Sequence, residues 1–221
     1  NTDFVKSPVK GLKIGITTTL DGMFPKKYID KNILKCFYNA VDYFKTLGCD
    51  IIDLDDSNCK YKLGFNEMKK EFFNCSAILW RVSFSTKFGP YINDNNKHLI
   101  DPILVKVAEK GKDIKGSELM KAILTRDKIR EIMDKYFENF DLLLTPTMPV
   151  LPPKALRYDI DYISQVKQVN SMSFYTFLCN FTGLPALSIN CGNITRKNGM
   201  TPIGLQIIGN LYNDHNIIKA G

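Results

Sequence analysis

The chain has 221 residues, of which 44% are hydrophobic and 24% are charged, and its formal net charge at neutral pH is +7. This length and balance are typical of one globular domain with a substantial core. The sequence contains no run of eighteen apolar residues, and its first residues do not form a signal peptide. We therefore expect a cytoplasmic protein with no membrane span, no membrane partner and no secretion.

The positive charge would permit a polyanionic partner, but the lysines are spread along the chain and often stand beside acidic residues, as in segment 127–131. A nucleic-acid interface concentrates its cations in a patch, so we do not expect direct nucleic-acid binding. The six cysteines lack CxxC spacing, and Cys36, Cys179 and Cys191 fall in apolar runs. This pattern is typical of buried free thiols, and we expect no metal and no cofactor.

The first part of the chain predicts a strand, a helix and a second strand. A β-rich run covers residues 12–17, and Asp30 is placed to cap a helix whose apolar residues recur at helical spacing. The run 49–54 then predicts a strand parallel to the first, because a helix of this length connects parallel neighbours. The fold class is therefore α/β, with helices covering both faces of the sheet.

Three helices are predicted to follow. The first covers residues 65–88 and includes Trp80, which we interpret as a core residue. The second begins near Pro102. The third opens at Ser117 and has an inner face of apolar residues at helical spacing.

The third helix leads into the run Phe140–Thr147, in which residues 142–144 predict a buried strand that Pro146 ends. In open α/β sheets, ligands bind beyond the carboxyl ends of the strands, so Thr145 and Thr147 are candidate substrate-binding residues. The same two threonines are equally typical of a strand-end cap. The acidic pair Asp53 and Asp55 also follows a strand end, and we interpret both as solvated.

The stretch 174–209 contains the strongest local signals. Gly183 and Pro185 end a helix that begins at Val169, and two apolar runs are joined by a segment that contains Asn198-Gly199. Asn-Gly favours a tight chain reversal, so the two runs predict neighbouring antiparallel strands.

These residues carry a family resemblance. Residues 180–192 read NFTGLPALSINCG, residues 202–209 read PIGLQIIG, and residues 140–147 read FDLLLTPT. Together they resemble the amidase signature family, which includes amidases and the A subunit of glutamyl-tRNA(Gln) amidotransferase. The resemblance implies a mixed β-sheet sandwiched by helices, of which this chain is the C-terminal portion. Residues 1–10 are then a connector, and residues 11–221 are the C-terminal half of one domain.

The family hydrolyses amides with a serine nucleophile, a second serine in a cis peptide and a lysine base. The sequence contains no Ser-Ser pair, no Gly/Ser-rich segment and no matching lysine motif, so we assign no catalytic residue to it. The resemblance implies that these groups belong to a missing N-terminal half, and that the 221 residues alone are inactive. A thiol enzyme would need Cys179 or Cys191 beside one of the two histidines. We do not expect one, because His98 falls in a polar loop and His215 in the last helix.

The resemblance also bears on the substrate, which we expect to be a small-molecule amide. The tRNA-dependent branch has an acidic residue where this chain has Ser173 and an arginine where it has Val107. The resemblance implies that this acid and this arginine hold the charged end of glutamine, and this chain has neither. A general amidase for a less polar amide is therefore the first interpretation. Ser173 and Phe174 are further candidate substrate-binding residues. Phe174 is equally typical of a helix core.

Two alternatives remain. One is the glutaminase subunit of a tRNA-dependent amidotransferase, which would assemble with other subunits. The other is a non-catalytic, truncated interaction module. The partners of this chain would then be the missing N-terminal half and either further copies of the same protein or the other amidotransferase subunits.

Overall fold

A computed structural model describes residues 9–152, 171–196 and 199–221 of the chain. It contains one five-stranded sheet whose strands are β1 (Lys13–Ile16), β2 (Asp50–Asp53), β3 (Leu142–Pro146), β4 (Ala186–Arg196) and β5 (Gly199–Gly209). The α-helices are α1 (Lys31–Thr46), α2 (Lys69–Phe88), α3 (Pro102–Lys112), α4 (Gly116–Phe137), α5 (Phe174–Thr182) and α6 (Asp214–Ala220). Short 3-10 helices cover Lys26–Tyr28, Gly89–Tyr91 and Lys97–Leu99.

The strand order in the sheet is β2-β1-β3-β5-β4. β1 pairs in parallel with both β2 and β3, whereas β5 pairs antiparallel with β3 and β4. The sheet is therefore mixed, and the carboxyl ends of β1, β2 and β3 lie at the same edge. β4 forms one side of the sheet, and within the described residues its outer side has no strand partner.

The β1-α1-β2 unit agrees with the prediction. A carboxylate oxygen of Asp30 accepts a hydrogen bond from the Asn32 amide at 2.8 Å and caps the helix, as its residue type favours. The apolar residues of α1 are buried, and Gly48, at a φ of +83°, makes the turn into β2. Glycine adopts this left-handed conformation without the steric cost of a Cβ atom.

Helices cover both faces of the sheet, as the resemblance implies. On one face, α1 and Ile217 of α6 pack against residues of β1, β3 and β5 such as Ile14, Leu144 and Ile207. On the other face, the core contains residues of α2, α4 and α5 together with Leu143 and Ile208 of the sheet.

The β4-β5 hairpin confirms the prediction of antiparallel neighbours. Residues 197 and 198, including the asparagine of the predicted turn, lie outside the described residues. The pairing shifts register between Asn190 and Gly192, where the Asn190 side-chain oxygen accepts a hydrogen bond from the Gly192 amide at 2.8 Å. This bond satisfies a backbone donor where the ladder is interrupted.

Two predictions for α2 were wrong. The helix begins at Lys69 rather than Phe65, and Phe65 is a buried residue in the segment before it. Trp80 is 50% exposed and is therefore not a core residue. In the portion of the chain that the structure covers, no helix combines the length and the apolarity needed to cross a bilayer.

Candidate functional site at the carboxyl edge of the sheet

Polar residues gather where the three parallel strands end. Thr17, Thr18 and Thr19 follow β1, Asp55 follows β2, and Thr145 and Thr147 lie at the end of β3. The parallel register carries these short segments to one edge of the sheet. This edge is where open α/β sheets bind ligands, so we take it as the candidate site.

Asp55 holds the three threonines together. Its Oδ1 accepts hydrogen bonds from the hydroxyls of Thr17 at 2.6 Å and Thr19 at 2.7 Å. Its Oδ2 accepts from both the backbone amide and the hydroxyl of Thr18, each at 2.7 Å. Four donors on one carboxylate fix its orientation and the path of the backbone after β1. We call this group the Asp55-threonine cluster.

Burial of Asp55 by itself raises the pKa of the carboxyl, since it disfavours the charged form. The hydrogen bonds from Thr17, Thr19 and Thr18 act in the opposite direction and outweigh burial, so the pKa lies below its ordinary value. Asp55 therefore remains an ionised acceptor at neutral pH, unsuited to donate a proton in catalysis. The interpretation of Asp55 as a solvated surface acid was wrong.

A tight turn follows the cluster. Leu20 and Asp21 have φ values of 47° and 56°, and Gly22 follows at 80°. The Thr17 hydroxyl oxygen accepts a hydrogen bond from the Leu20 amide at 2.9 Å, and the Thr19 hydroxyl oxygen accepts one from the Gly22 amide at 3.1 Å. These bonds stabilise left-handed conformations that cost free energy in non-glycine residues.

Tyr175 of α5 connects the cluster to the hairpin side of the sheet. Its hydroxyl donates a hydrogen bond of 2.6 Å to the carbonyl oxygen of Thr18. Burial raises the pKa of Tyr175 well above its ordinary value, with a smaller contribution from the nearby Asp55 charge. The phenol therefore remains a protonated donor, and it ties α5 to the turn after β1.

Gln206 lies at the centre of the edge. It is buried on β5 opposite Thr145 of β3. Its Nε2 donates to the Thr145 hydroxyl at 3.0 Å and to the Tyr175 carbonyl oxygen at 3.4 Å, and the Thr145 hydroxyl donates to the Pro146 carbonyl oxygen at 3.0 Å. Thr145 is fully buried, so in this arrangement it supports the edge and does not face open space.

Thr147 faces an open groove of about 280 Å³. Its hydroxyl lies 2.7 Å from the hydroxyl of Ser188 on β4, and either can be the donor. The rest of the groove is largely apolar, with lining residues that include Ile33, Val150 and Ile203. An apolar groove with one pair of hydroxyls at its wall suits a ligand that is mostly apolar and has one polar group.

Gly204 makes room for that hydroxyl pair. A Cβ atom at this position would lie 2.5 Å from the Thr147 hydroxyl oxygen and 2.9 Å from the Ser188 hydroxyl oxygen. Any side chain would therefore displace both groups. The Thr147 amide also donates to the Gly204 carbonyl at 2.9 Å, so the glycine holds Thr147 by its backbone as well.

The family model described as Amidase matches residues 1–218. The chain belongs to the Amidase family. Its five-stranded mixed sheet with helices on both faces has the fold of amidase signature enzymes. The resemblance inferred from residues 140–147 and 180–209 is thereby confirmed.

Curated relatives include the A subunits of glutamyl-tRNA(Gln) amidotransferase from Prochlorococcus marinus (strain AS9601), 30% identical, and from Methanococcoides burtonii (strain DSM 6242), 27% identical. The matches cover 99% and 96% of this chain. They cover only 46% and 45% of the relatives. The chain therefore spans less than half the length of these relatives.

Solved structures with the same fold include a bacterial aryl acylamidase of the amidase signature family (TM-score 0.67, 24% identity, 99% of this chain and 44% of that one). A 6-aminohexanoate cyclic dimer hydrolase bound to its substrate gives a TM-score of 0.78 at 16% identity, and the match covers 99% of this chain and 45% of that one. The A subunit of glutamyl-tRNA(Gln) amidotransferase from Thermotoga maritima gives a TM-score of 0.57 at 17% identity, and the match covers 97% of this chain and 42% of that one. These likenesses establish the fold.

The other two predicted substrate-binding residues of this Amidase family chain lie at the start of α5. Ser173 is the half-buried N-cap residue, and its carbonyl accepts a hydrogen bond from the Phe177 amide at 2.8 Å. Phe174 is 8% exposed and packs on Phe24, with ring centroids 4.6 Å apart. Phe174 thus lies in the aromatic core beside Tyr175, one residue from the hydroxyl that reaches the cluster.

Three of the cysteines are poor nucleophiles. Burial raises the pKa of Cys179 to about 12 and the pKa values of Cys75 and Cys191 to about 11, and the thiolate is the reactive form of cysteine. His98 and His215 are both exposed. Among the described residues, no three His, Cys, Asp or Glu side chains are grouped so as to hold a metal ion.

The sequence analysis missed several residues of the edge. The Asp55-threonine cluster, Tyr175, Ser188 and Gln206 were not among the predicted site residues. Three consecutive threonines after a strand, followed by an acid after its parallel neighbour, are a signal that could have found the cluster. Gln206 stands inside the family motif PIGLQIIG, but its burial beside Thr145 depends on the pairing of β3 with β5.

Proposed function

We propose that this chain is the C-terminal part of an enzyme that hydrolyses the C–N bond of a carboxamide through an acyl-serine intermediate. The match of the Amidase family model to residues 1–218 carries the proposal. In it, residues 1–10 are a connector and residues 11–221 form the C-terminal half of the catalytic domain. The serine nucleophile, the relay serine and the lysine base come from the preceding part of the polypeptide.

The proposed reaction has two steps. The nucleophilic serine attacks the amide carbonyl, its proton passes through the relay to the lysine, and the amine leaves after it receives that proton. Water then attacks the acyl-serine ester and releases the carboxylic acid. Both steps need backbone donors for the oxyanion, which we assign to the Gly/Ser-rich segment of the preceding part.

We assign one wall of the substrate pocket to this chain. The groove beside Thr147 and Ser188 has the two hydroxyls, 2.7 Å apart, and an apolar lining. A carboxamide oxygen or nitrogen can hydrogen-bond to the hydroxyl pair while its apolar substituent lies along Ile33, Val150 and Ile203. In this proposal Thr145 and Gln206 support the wall from behind, and Phe174 supports it through Tyr175.

A less polar amide is the first candidate substrate. Val107 is 6% exposed on α3, which packs against α2, and Ser173 has an uncharged side chain. Neither position supplies a charge for the head group of an amino acid, and burying such a head group without charged partners is costly. Substrates with an aryl or alkyl substituent fit the groove better than glutamine does.

A second candidate is the glutaminase subunit of a tRNA-dependent amidotransferase, which would work in a complex with partner subunits. The curated relatives with 25–30% identity bear that name. A third is a non-catalytic interaction module, which requires only that the family's serine and lysine be absent from the preceding part. A homo-oligomer is compatible with the first and third candidates.

Hydrolysis assays on the complete protein separate these candidates. We expect turnover of an acetanilide to exceed turnover of glutamine, whereas the reverse, with a requirement for partner subunits, would establish the second candidate. No hydrolysis of either substrate, alone or with amidotransferase subunits, would leave the non-catalytic module. The 221-residue chain alone is expected to be inactive, and amide cleavage by it would refute the assignment of the nucleophile to another segment.

The wall itself is tested by Thr147→Val. This change keeps the shape of the side chain and removes the hydroxyl, so we expect kcat/KM to fall about tenfold, as for loss of one hydrogen bond worth about 1.4 kcal/mol. Thr195→Val, on β4 and outside the lining of the groove, is the matched control and should stay within about twofold. Equal effects of the two changes would contradict the placement of the wall.

A further inference from the structure

α2 presents a row of aromatic side chains to solvent. Phe73, Trp80 and Phe88 are 44%, 50% and 45% exposed. The rings of Trp80 and half-buried Phe84 are stacked with centroids 4.7 Å apart, and those of Phe84 and Phe88 are 5.1 Å apart. We call these four side chains the aromatic row.

The aromatic row is not what attaches α2 to the core. Phe72 and Cys75 point inward and are buried in the cluster that α4 and α5 share. Residues 80, 84 and 88 are spaced at four-residue intervals, which places them on one face of a helix, away from these buried residues. Large apolar side chains that the fold does not bury mark a contact surface when they are contiguous.

Among the charged side chains of α2 itself, those nearest the aromatic row have one sign. At about 100° per residue, Lys69, Lys70, Arg81 and Lys87 all lie within about 60° of the middle of the row. Glu71, the acidic residue of the first turn, lies about 140° away on the same basis. The face therefore has an aromatic centre flanked by four cations.

Contrary to the expectation of no membrane partner, we propose that this face of α2 binds the surface of an anionic lipid membrane. The rings would lie at the boundary between headgroups and acyl chains. Aromatic side chains flanked by lysine and arginine are typical of helices that lie in the membrane interface. Each cation near such a surface contributes about 1 kcal/mol of attraction, and the net charge of +7 adds long-range attraction. A second copy of the chain would place four cations against four cations, which disfavours self-association through this face.

The inference does not depend on the proposed hydrolysis, because the aromatic row belongs to none of the residues assigned to the carboxyl edge. An acidic amphipathic helix of another protein would meet the same charge pattern. Membrane is the better match because α2 has cations on both sides of the row, as helices that lie in an anionic interface do.

Vesicle binding by the purified protein tests the proposal. We expect co-sedimentation with vesicles that contain about one third phosphatidylserine, and little with pure phosphatidylcholine, since the attraction needs anionic lipid. Trp80 is the single tryptophan of the chain. Its emission, taken as the difference from Trp80→Phe, should shift to shorter wavelength with anionic vesicles and be quenched by brominated lipids. High salt should weaken the binding.

Matched variants locate the contact. Lys70→Gln with Lys87→Gln should weaken partitioning about 30-fold, the equivalent of two cations at about 1 kcal/mol each. Lys31→Gln with Lys35→Gln removes the same charge from exposed positions on α1, across the sheet, and should change partitioning less than twofold. Phe88→Ser should weaken binding without changing the far-UV circular dichroism spectrum.

Several results would overturn the proposal. One is the absence of binding to anionic vesicles by a protein whose circular dichroism shows it to be folded. Another is an equal loss with the α1 and α2 double variants. A third is a Trp80 that is already shielded from acrylamide in the complete protein without lipid. A fourth is a Trp80 that responds to an acidic amphipathic peptide but not to vesicles, which would assign the face to a protein partner instead.

Discussion

The Asp55-threonine cluster predicts a large effect of a small substitution. Asp55→Asn keeps the shape of the side chain but replaces one oxygen by an NH2 group. Two of the four hydrogen bonds to the carboxylate, with lengths of 2.6–2.7 Å, then face a donor instead of an acceptor. Hydrogen bonds to charged groups contribute about 1.5–3 kcal/mol each, and rotation of the threonine hydroxyls recovers part of that loss.

We therefore expect Asp55→Asn to lower the free energy of unfolding by about 2 kcal/mol at pH 7. The measurement is urea denaturation followed by far-UV circular dichroism. Asp53→Asn is the matched control, because Asp53 is exposed and an amide oxygen can still accept the hydrogen bond from the Asp55 amide, 2.9 Å in length. The control should change stability by less than about 0.5 kcal/mol.

The sign of the pH dependence follows from the lowered pKa of Asp55. A carboxyl whose folded-state pKa lies below its unfolded value, about 3.9, stabilises the fold fully above that pH. The contribution is lost as the pH falls from about 3.9 through the lower pKa of the folded state. The difference between wild type and Asp55→Asn should therefore be constant near neutral pH and shrink in acid. Equal stabilities at pH 7, or an equal loss in Asp53→Asn, would refute the assigned role of the cluster.

Three other predictions follow from the same edge and core. Tyr175→Phe removes the buried hydrogen bond to Thr18 and should cost about 1–2 kcal/mol of stability in urea denaturation; an unchanged midpoint would contradict it. Gly204→Ala places a methyl group against Thr147 and should lower the rate of amide hydrolysis by the complete protein while changing its melting temperature little. Cys179, with its pKa raised to about 12 by burial, should react with Ellman's reagent at pH 8 only after unfolding, and rapid labelling of the folded protein would refute this.

The parts of the fold predicted correctly are those that local chemistry determines. Asp30 and Gly48 mark the ends of α1, and Gly183 with Pro185 marks the passage from α5 to β4. Each acts within a few residues, so the sequence alone carries the signal. The parallel pairing of β1 with β2 and the antiparallel pairing of β4 with β5 followed from the same signals, and the family resemblance added the single mixed sheet. The order of all five strands was not predicted.

The candidate site was predicted less completely, because its contacts join distant segments. Asp55 and the threonines are 36–38 residues apart, and nothing near Asp55 in the sequence distinguishes it from Asp53. Thr147 does border a groove, whereas Thr145 is buried behind it. Trp80 was misplaced for a related reason, since α2 has apolar residues on both faces and periodicity does not show which one meets the core.

The outer edge of β4 affects how the purified protein behaves in solution. Residues 186–195 contain no proline and no charged residue, whereas exposed edge strands usually carry such features to block further pairing. A sample in which this strand stays uncovered should act as a template for ordered aggregation, with each added chain donating a strand to the last. Purification at low protein concentration, or co-expression with whatever covers β4, is accordingly the practical route to a usable sample.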